Sequence, residues 1–407
     1  MLQTSRPFFS LRVMASSGAG PFLDGFSTSS AAFLISLIDG ITSLQVAFFT
    51  SLYLAGSFVG AMAFGALADH VGRRPPYVAG MALVCIALVL GAATPAIACL
   101  LVMRLVLGVC LGGDYPVGQA IVYEKLSPRW RNTALSVLML AWYLGALAGV
   151  CASIPAVRGE MSWQGILYIQ TALAVVALFL RFGVGESEVW LQSTSDKAEK
   201  SFELNPINAM VCWCANVNAA IAENRKEFFF CAAFWLCQTV PATIMMLYSP
   251  SILRQMTGSD DAIVQMLLLY GFFLVGVLPA SCALFASRPK AVLVGTFAVM
   301  AAGLLGVVCF AKSCPWLGNV SFMLFAAAYG LQAPLDFIYP NQLFPTKARG
   351  SLVGAVTAVS RLGSTGAAFF FPLLEPHFDL TVLFGAGLLV LALGLVVAVK
   401  FAPSDAQ

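Results

Sequence analysis

The sequence predicts an all-α integral membrane protein with twelve transmembrane helices in two pseudo-symmetric six-helix halves. Of its 407 residues, 60% are hydrophobic and only 10% are charged, whereas a soluble domain is about 45–50% apolar and about 25% charged. Twelve apolar runs approach the roughly 20 residues that a helix needs to cross a bilayer. A long polar interval at residues 185–227 divides these runs into six and six.

The apolar runs define the expected domain organisation. Residues 1–184 are predicted to form an amino-terminal six-helix bundle, 185–227 a cytoplasmic linker loop and 228–407 a carboxyl-terminal six-helix bundle. The expected spans are 13–38, 46–66, 77–93, 97–122, 133–154, 165–184, 228–249, 262–285, 291–310, 320–339, 352–374 and 380–401. The first span contains Gly18, Gly20, Pro21 and Asp24, so a break is expected in its middle.

The basic residues predict the orientation. If the amino terminus is cytoplasmic, most of the 22 lysines and arginines fall in loops or span ends on the cytoplasmic side. Cytoplasmic loops carry this excess of basic residues in membrane proteins. We therefore expect a multi-pass protein of the cell membrane (inner or plasma membrane), with both termini and the linker in the cytoplasm.

Composition also disfavours several function classes. The net charge of +3 is too small to suggest nucleic-acid binding. The cysteines are scattered through apolar runs and neither of the two histidines lies in a span; no metal site, cofactor or catalytic cluster is therefore expected. No G-x-x-x-x-G-K-[S/T] loop occurs, which argues against ATP drive through such a loop. The expected partners are the lipid bilayer, a small-molecule substrate and protons, and we expect a monomer.

A faint repeat relates the two halves. Glu124 precedes Arg131 by seven residues after the fourth span, and Gln342 precedes Arg349 by the same interval after the tenth. Two related halves with a binding site between them are the general design of many secondary transporters. The repeat therefore points to solute transport.

Five ionisable residues lie within the spans: Asp24, Arg104, Asp114, Asp336 and Arg361. Charges in a bilayer are costly, and they persist where they face a cavity or a partner. We expect Asp114 to be the first candidate proton carrier and Asp24 the second. The two arginines either hold an anionic substrate by charge-assisted hydrogen bonds or neutralise two of the acids.

The sequence GALADHVGRRPPY lies between the second and third spans. It resembles the signature loop of the major facilitator superfamily, G-x-x-x-D-x-x-G-R-R/K, with Gly65, Asp69, Gly72, Arg73 and Arg74 at its conserved positions. The resemblance implies a cytoplasmic gate. We expect its charge network to include the following residues from the loops after spans two and four: Asp69, Arg73, Glu124 and Arg131.

Further motifs narrow the resemblance to proton-coupled metabolite and phosphate symporters and to sugar porters. These are LGGDYP (residues 111–116) in span four, PFLDGF (21–26) in span one and IYPNQLFPTKARGS (338–351) after span ten. GESEVWL (185–191) resembles the sugar-porter motif P-E-S-P-R-W-L but lacks its prolines and its arginine. The second-half signature loop is reduced to ASRPK (286–290), and Gln342 replaces the usual glutamate; the carboxyl half is therefore expected to lack a charge lock of its own.

This resemblance implies a transporter that moves a small polar metabolite, such as an organic acid or a sugar, by alternating access and proton symport. The candidate substrate-binding residues are Arg104, Tyr115, Tyr143, Trp235, Gln238, Asp336 and Arg361. Span seven carries no acid four residues after Trp235, where phosphate symporters have one, which disfavours phosphate. A proton-independent facilitator or exporter on the same fold, and a non-transporting membrane sensor, remain alternatives.

Overall fold

The computed structural model describes residues 7–94, 96–195, 217–257, 261–280, 288–310, 313–374 and 377–403. Linker residues 196–216, which include much of the predicted loop, lie outside this part. The helices are α1 (Pro7–Ser36), α2 (Ser43–Val71), α3 (Arg74–Ala93), α4 (Ile97–Lys125), α5 (Arg131–Val157), α6 (Trp163–Phe182), α7 (Glu188–Ser195), α8 (Arg225–Thr257), α9 (Ala262–Ala280), α10 (Pro289–Phe310), α11 (Pro315–Gln332), α12 (Leu335–Leu343), α13 (Arg349–Leu374) and α14 (Leu380–Phe401).

These helices confirm the predicted all-α membrane fold. In the described residues, 10 helices are long and apolar enough to cross a membrane, counting α11 and α12 as one span. The remaining two expected spans are α1 and α13, which are full-length helices but carry many Ser, Thr and Gly residues as well as charges. Both helices contribute polar groups to the centre of the bundle, which explains their lower hydropathy.

The expected break in the first span is wrong, because α1 is continuous and contains Pro21. Its glycines serve helix packing instead: a side chain at Gly25 would collide with the Trp142 carbonyl of α5. A proline within a membrane helix is tolerated where neighbouring groups satisfy the backbone. The Gly and Pro residues therefore bring α1 close to its neighbours without ending it.

The predicted tenth span is instead interrupted at Ala333 and Pro334, which separate α11 from α12. Pro334 has no backbone N–H to continue the α11 hydrogen bonds. Asp336 consequently lies in the first turn of α12, where the helix dipole favours a negative charge. The break places this carboxyl group at the centre of the bundle.

The halves meet chiefly through α2 and α13, and through α5 and α9. At the end that carries Arg73 and Arg349, here called the basic end, a side chain at Gly65 would collide with the Gly350 carbonyl. At the opposite end, here called the far end, the Phe48 and Phe369 rings lie 5.8 Å apart. The halves are therefore in contact along α2 and α13 on both sides of the bundle centre.

Candidate functional site

A small cavity of about 60 Å³ lies between the two halves at the bundle centre. The amino half and the carboxyl half each line one side of it, and aromatic rings predominate. The lining residues are Thr28, Leu54, Tyr115, Met139, Trp142, Tyr143, Trp235, Thr239, Thr243, Met246, Tyr329, Asp336, Phe337 and Arg361. This volume accommodates only a few water molecules, so binding of a metabolite requires the halves to move apart.

The Asp24 carboxylate is held beside this cavity by three uncharged donors. The hydroxyls of Tyr53 and Tyr115 donate to its two oxygens, and the indole Nε1 of Trp142 donates to Oδ2 at 2.7 Å. Arg361 Nη2 from the other half lies 4.0 Å from the same oxygen. Donors from three helices of one half and a cation from the other therefore converge on a single buried carboxylate.

The carboxyl half provides a second carboxylate, Asp336, which is 2% exposed. The side-chain amide of Gln238 on α8 donates to its Oδ1. Asp336 lines the cavity together with Arg361, whose guanidinium lies over the Tyr115 ring, 5.1 Å from its centroid. The cavity thus has one arginine between an acid of the amino half and an acid of the carboxyl half.

Of the other predicted substrate-binding residues, Tyr115, Tyr143 and Trp235 line the cavity. The Tyr143 ring stacks on Phe273 of α9 with centroids 5.5 Å apart. Trp235 packs its ring edge against Phe337, at a centroid distance of 6.4 Å. These contacts tie the aromatic walls of the cavity to the interface between the halves.

Arg104, a predicted substrate-binding residue, does not line the cavity. It is buried between α1, α2 and α4, where Nη1 donates to the Ser27 hydroxyl at 2.9 Å and Nε to the Phe49 carbonyl at 3.3 Å. Its guanidinium lies 4.2 Å from the centroid of the Tyr53 ring. This arginine is therefore held within the amino half, behind the tyrosine that donates to Asp24.

Asp114 also lies away from the cavity, and its partner is neither of the arginines proposed from the sequence. Its Oδ1 lies 2.6 Å from Nη1 of Arg181 on α6, and both side chains are buried. Arg181 also donates to the Tyr77 carbonyl at 2.6 Å and covers the Tyr77 ring. A side chain at Gly20 would collide with this pair, which explains the glycine in α1.

Three of the four predicted gate charges form a network at the basic end. Arg73 pairs with Asp69 one turn earlier, and its Nη2 lies 2.9 Å from Glu124 Oε1. Arg349 of the carboxyl half lies 3.9 Å from the same Glu124 oxygen. Asp69 Oδ2 also accepts hydrogen bonds of 2.7 Å from both the backbone N–H and the hydroxyl of Ser351.

In the described residues, the carboxyl half therefore adds Arg349 and Ser351 to the charge network of the amino half. Burial alone would lower the pKa of Arg73, but the attraction of Asp69 and Glu124 outweighs it and raises the pKa above its usual value. The guanidinium is consequently charged at all physiological pH values.

Glu186, from the motif that resembles sugar porters only weakly, supports the network. Its carboxylate accepts hydrogen bonds from the backbone N–H groups of Arg73 at 2.9 Å and Arg74 at 3.1 Å, at the amino end of α3. The adjacent Ser187 donates to Glu124 at 2.6 Å. Gly72 has a φ of 103°, a conformation that favours glycine, and it lets the loop pass close to Glu186.

The fourth predicted gate residue, Arg131, lies beside the network. It donates to the Leu126 carbonyl at 3.2 Å and covers the Tyr123 ring. Gln342, which replaces the usual glutamate, donates to Asn132 of the amino half at 3.0 Å. A neutral hydrogen bond between the halves therefore occupies the position where the resemblance leads one to expect a charged one.

Sequence reasoning missed Tyr53, Arg181 and Ser351. Tyr53 is a hydroxyl-bearing residue inside a span and could have been flagged as a partner for an acid. Arg181 was interpreted only as a basic residue at a span end. Ser351 has no charge and lies 282 residues from Asp69, so nothing in the sequence indicates their contact.

Comparisons with known proteins agree with this architecture. The sequence profile of the Major Facilitator Superfamily matches residues 18–368, and the chain belongs to this family of membrane transporters. YaaU of Escherichia coli K12, whose name describes it as a metabolite transport protein, is 28% identical over 99% of this chain and 95% of its own length. The inner membrane metabolite transport protein YgcS of the same organism is 28% identical, over 86% and 81% of the respective chains.

The fold also matches that of the proton:xylose symporter XylE bound to 6-bromo-6-deoxy-D-glucose. The TM-score is 0.81 at 16% identity, over 97% of this chain and 96% of that one. The chain is thus a multi-pass membrane transporter of the major facilitator fold and not an enzyme.

Proposed function

We propose that the protein is a proton-coupled symporter that moves a small polar metabolite through the central cavity by alternating access. The observation that carries the proposal is Asp24: a buried carboxylate that faces Arg361 across the interface between the halves. A group that gains and loses a proton at this position changes the attraction between the halves. The name of the structural neighbour XylE, a proton:xylose symporter, is consistent with this reading.

The coupling follows from the contacts of Asp24. When ionised, Asp24 attracts Arg361 and accepts hydrogen bonds from Tyr53, Tyr115 and Trp142. Hydrogen bonds to charged groups contribute about 1.5–3 kcal/mol each. The three donors therefore stabilise the ionised carboxylate while the halves are in contact. When protonated, Asp24 no longer holds Arg361, and the guanidinium is free to bind a substrate. Proton binding and substrate binding then favour each other, which is the condition for symport.

The same geometry makes Asp24 the first candidate proton carrier and Asp114 the second, the reverse of the order inferred from the sequence. Asp114 is paired with Arg181 within one half, so separation of the halves need not break this contact. We propose that this pair has a structural role. The substrate contacts are then assigned to Arg361, Asp336, Tyr115, Tyr143 and Trp235, which line the cavity, and Gln238 is assigned the positioning of Asp336.

Uptake into proteoliposomes tests the proposal against the two alternatives. Radiolabelled pentoses, hexoses and monocarboxylates are supplied with an acidic exterior, and separately with the pH gradient dissipated by a protonophore. Symport predicts accumulation of at least one compound above its external concentration only while the gradient is present. A facilitator would equilibrate the compound in both conditions, and a sensor would transport none.

A further inference from the structure

A second, larger cavity lies on the side of the carboxyl half, between α9, α10 and α11. Its volume is about 930 Å³, near the upper limit of the roughly 300–1,000 Å³ of ligand pockets. Its described lining is aliphatic or glycine except for Thr296 and Arg288. Arg288 is exposed and directly precedes α10 at the basic end. We call this cavity the lateral groove.

The groove exists because α9 and α10 both pack on α11 but make few contacts with each other. A side chain at Gly276 of α9 would collide with the Ala327 carbonyl of α11, so these two helices are in close contact. Near the far end, a side chain at Gly303 of α10 would likewise collide with α11 at Ser321. At Gly295, two turns closer to the basic end, an added Cβ would meet no described atom within 4 Å.

We infer that the lateral groove binds an anionic phospholipid, with an acyl chain between α9 and α10, against α11, and the phosphate at Arg288. The groove is formed by membrane-spanning helices, so the hydrocarbon of the bilayer is the apolar material that surrounds it. Its only described charge is a cation at the basic end, which selects for a negative headgroup. A basic residue near an anionic membrane surface contributes about 1 kcal/mol.

A bound chain would also contact the polar pair at the base of the groove. Thr296 lines the groove and donates to Gln332 Oε1 at 2.8 Å. Gln332 is fully buried and is the last residue of α11, before the break that places Asp336 at the cavity. Occupancy of the groove therefore acts on the element that positions a cavity carboxylate.

Photocrosslinking in vesicles tests this inference with photoactivatable phosphatidylglycerol and, separately, photoactivatable phosphatidylcholine. We expect phosphatidylglycerol to crosslink to α9–α11 peptides about fivefold more than phosphatidylcholine, the ratio that corresponds to about 1 kcal/mol. Arg288→Gln should remove this preference. Gly295→Phe, which fills the groove, should reduce crosslinking of both lipids to these peptides.

Two matched variants serve as controls. Arg129→Gln removes an exposed cation at the basic end of the amino half, and Gly385→Phe adds the same ring on α14 where a Cβ would meet no described atom; both should retain wild-type crosslinking. Equal labelling by the two lipids, or a headgroup preference that survives Arg288→Gln, would overturn the inference. If Gly295→Phe does not fold, the Arg288 and Arg129 variants still decide it.

Discussion

The two buried aspartates of the amino half differ in what balances their charge. Asp114 has a full ion partner, Arg181, at 2.6 Å within the same half. Asp24 has three neutral donors and a cation at 4.0 Å that belongs to the other half. Only the second arrangement includes a charged partner whose distance changes when the halves separate. At the residue scale we therefore propose a structural role for Asp114 and a coupling role for Asp24.

Asp114→Asn should destabilise the protein, because it leaves the Arg181 charge buried without its carboxylate. Removing one partner of a buried ion pair costs about 3–5 kcal/mol. The double variant Asp114→Asn with Arg181→Gln should recover most of this loss. This double-mutant cycle is measured by thermal unfolding in detergent of the wild type, the two single variants and the double variant. Purely additive effects would contradict the ion-pair assignment.

The sequence predicted acids within the membrane spans but not the partners that the structure gives them. The spans and the five intramembrane charges could be predicted because a charged residue is easily recognised within an apolar run. Which arginine an acid contacts depends on how each helix is rotated about its axis. The apolar pattern does not define this rotation, because the lipid-facing and the protein-facing sides of a membrane helix are both apolar. Arg104 and Arg181 lie in different spans, and only the packing shows which of them reaches Asp114.

At the scale of elements, glycines fix how closely the helices approach each other. A side chain at Gly108 of α4 would collide with the Tyr53 carbonyl of α2, and one at Gly145 of α5 with the Phe22 carbonyl of α1. Both contacts lie beside the donors that hold Asp24. The G-x-x-x-G spacing of Gly108 with Gly112 and of Gly145 with Gly149 predicts close helix packing, but it does not predict which helix each glycine contacts.

Gly108→Ala should lower the free energy of unfolding by about 1–3 kcal/mol, the range for overpacking, because the methyl group would collide with backbone and not with a movable side chain. Gly271→Ala is the matched control, since its Cβ would meet no described atom. At Gly271 the only expected effect is the higher helix propensity of alanine, so we expect no loss of stability. Thermal unfolding measures both, and equal effects would contradict the packing account.

At the same scale, we propose that the charge network at the basic end acts as a gate between the halves. Asp69→Asn keeps the shape of the side chain but removes the charge that attracts Arg73 and that strengthens both hydrogen bonds from Ser351. We expect the variant to populate conformations open at the basic end more than the wild type does. Spin-label distances between α2 and α13 measure this shift. Asp39→Asn, an exposed acid at the far end, is the control, and an unchanged distribution in Asp69→Asn would argue against the gate.

At the scale of the whole molecule, the fold could be predicted well because hydropathy and the signature loop constrain it strongly. The break before Asp336 and the continuity of α1 could not, because both depend on what surrounds Pro334 and Pro21. The orientation of the molecule in the membrane rests on the basic residues alone. It remains a prediction with its own test.

We predict that the basic end faces the cytoplasm. In a background without native cysteines, Arg129→Cys at the basic end should resist an impermeant thiol reagent added outside intact cells. Glu160→Cys, exposed at the far end, should react. The reverse pattern of labelling would show the opposite orientation.

The most direct test of the central claim is accumulation by Asp24→Asn in proteoliposomes, with the compound that the wild type concentrates under a pH gradient. Asparagine keeps the acceptor oxygen but cannot carry the proton. We predict that accumulation falls to simple equilibration, an inside-to-outside ratio of about 1, while exchange of preloaded substrate continues. Accumulation at the wild-type ratio by Asp24→Asn would show that Asp24 is not the coupling residue.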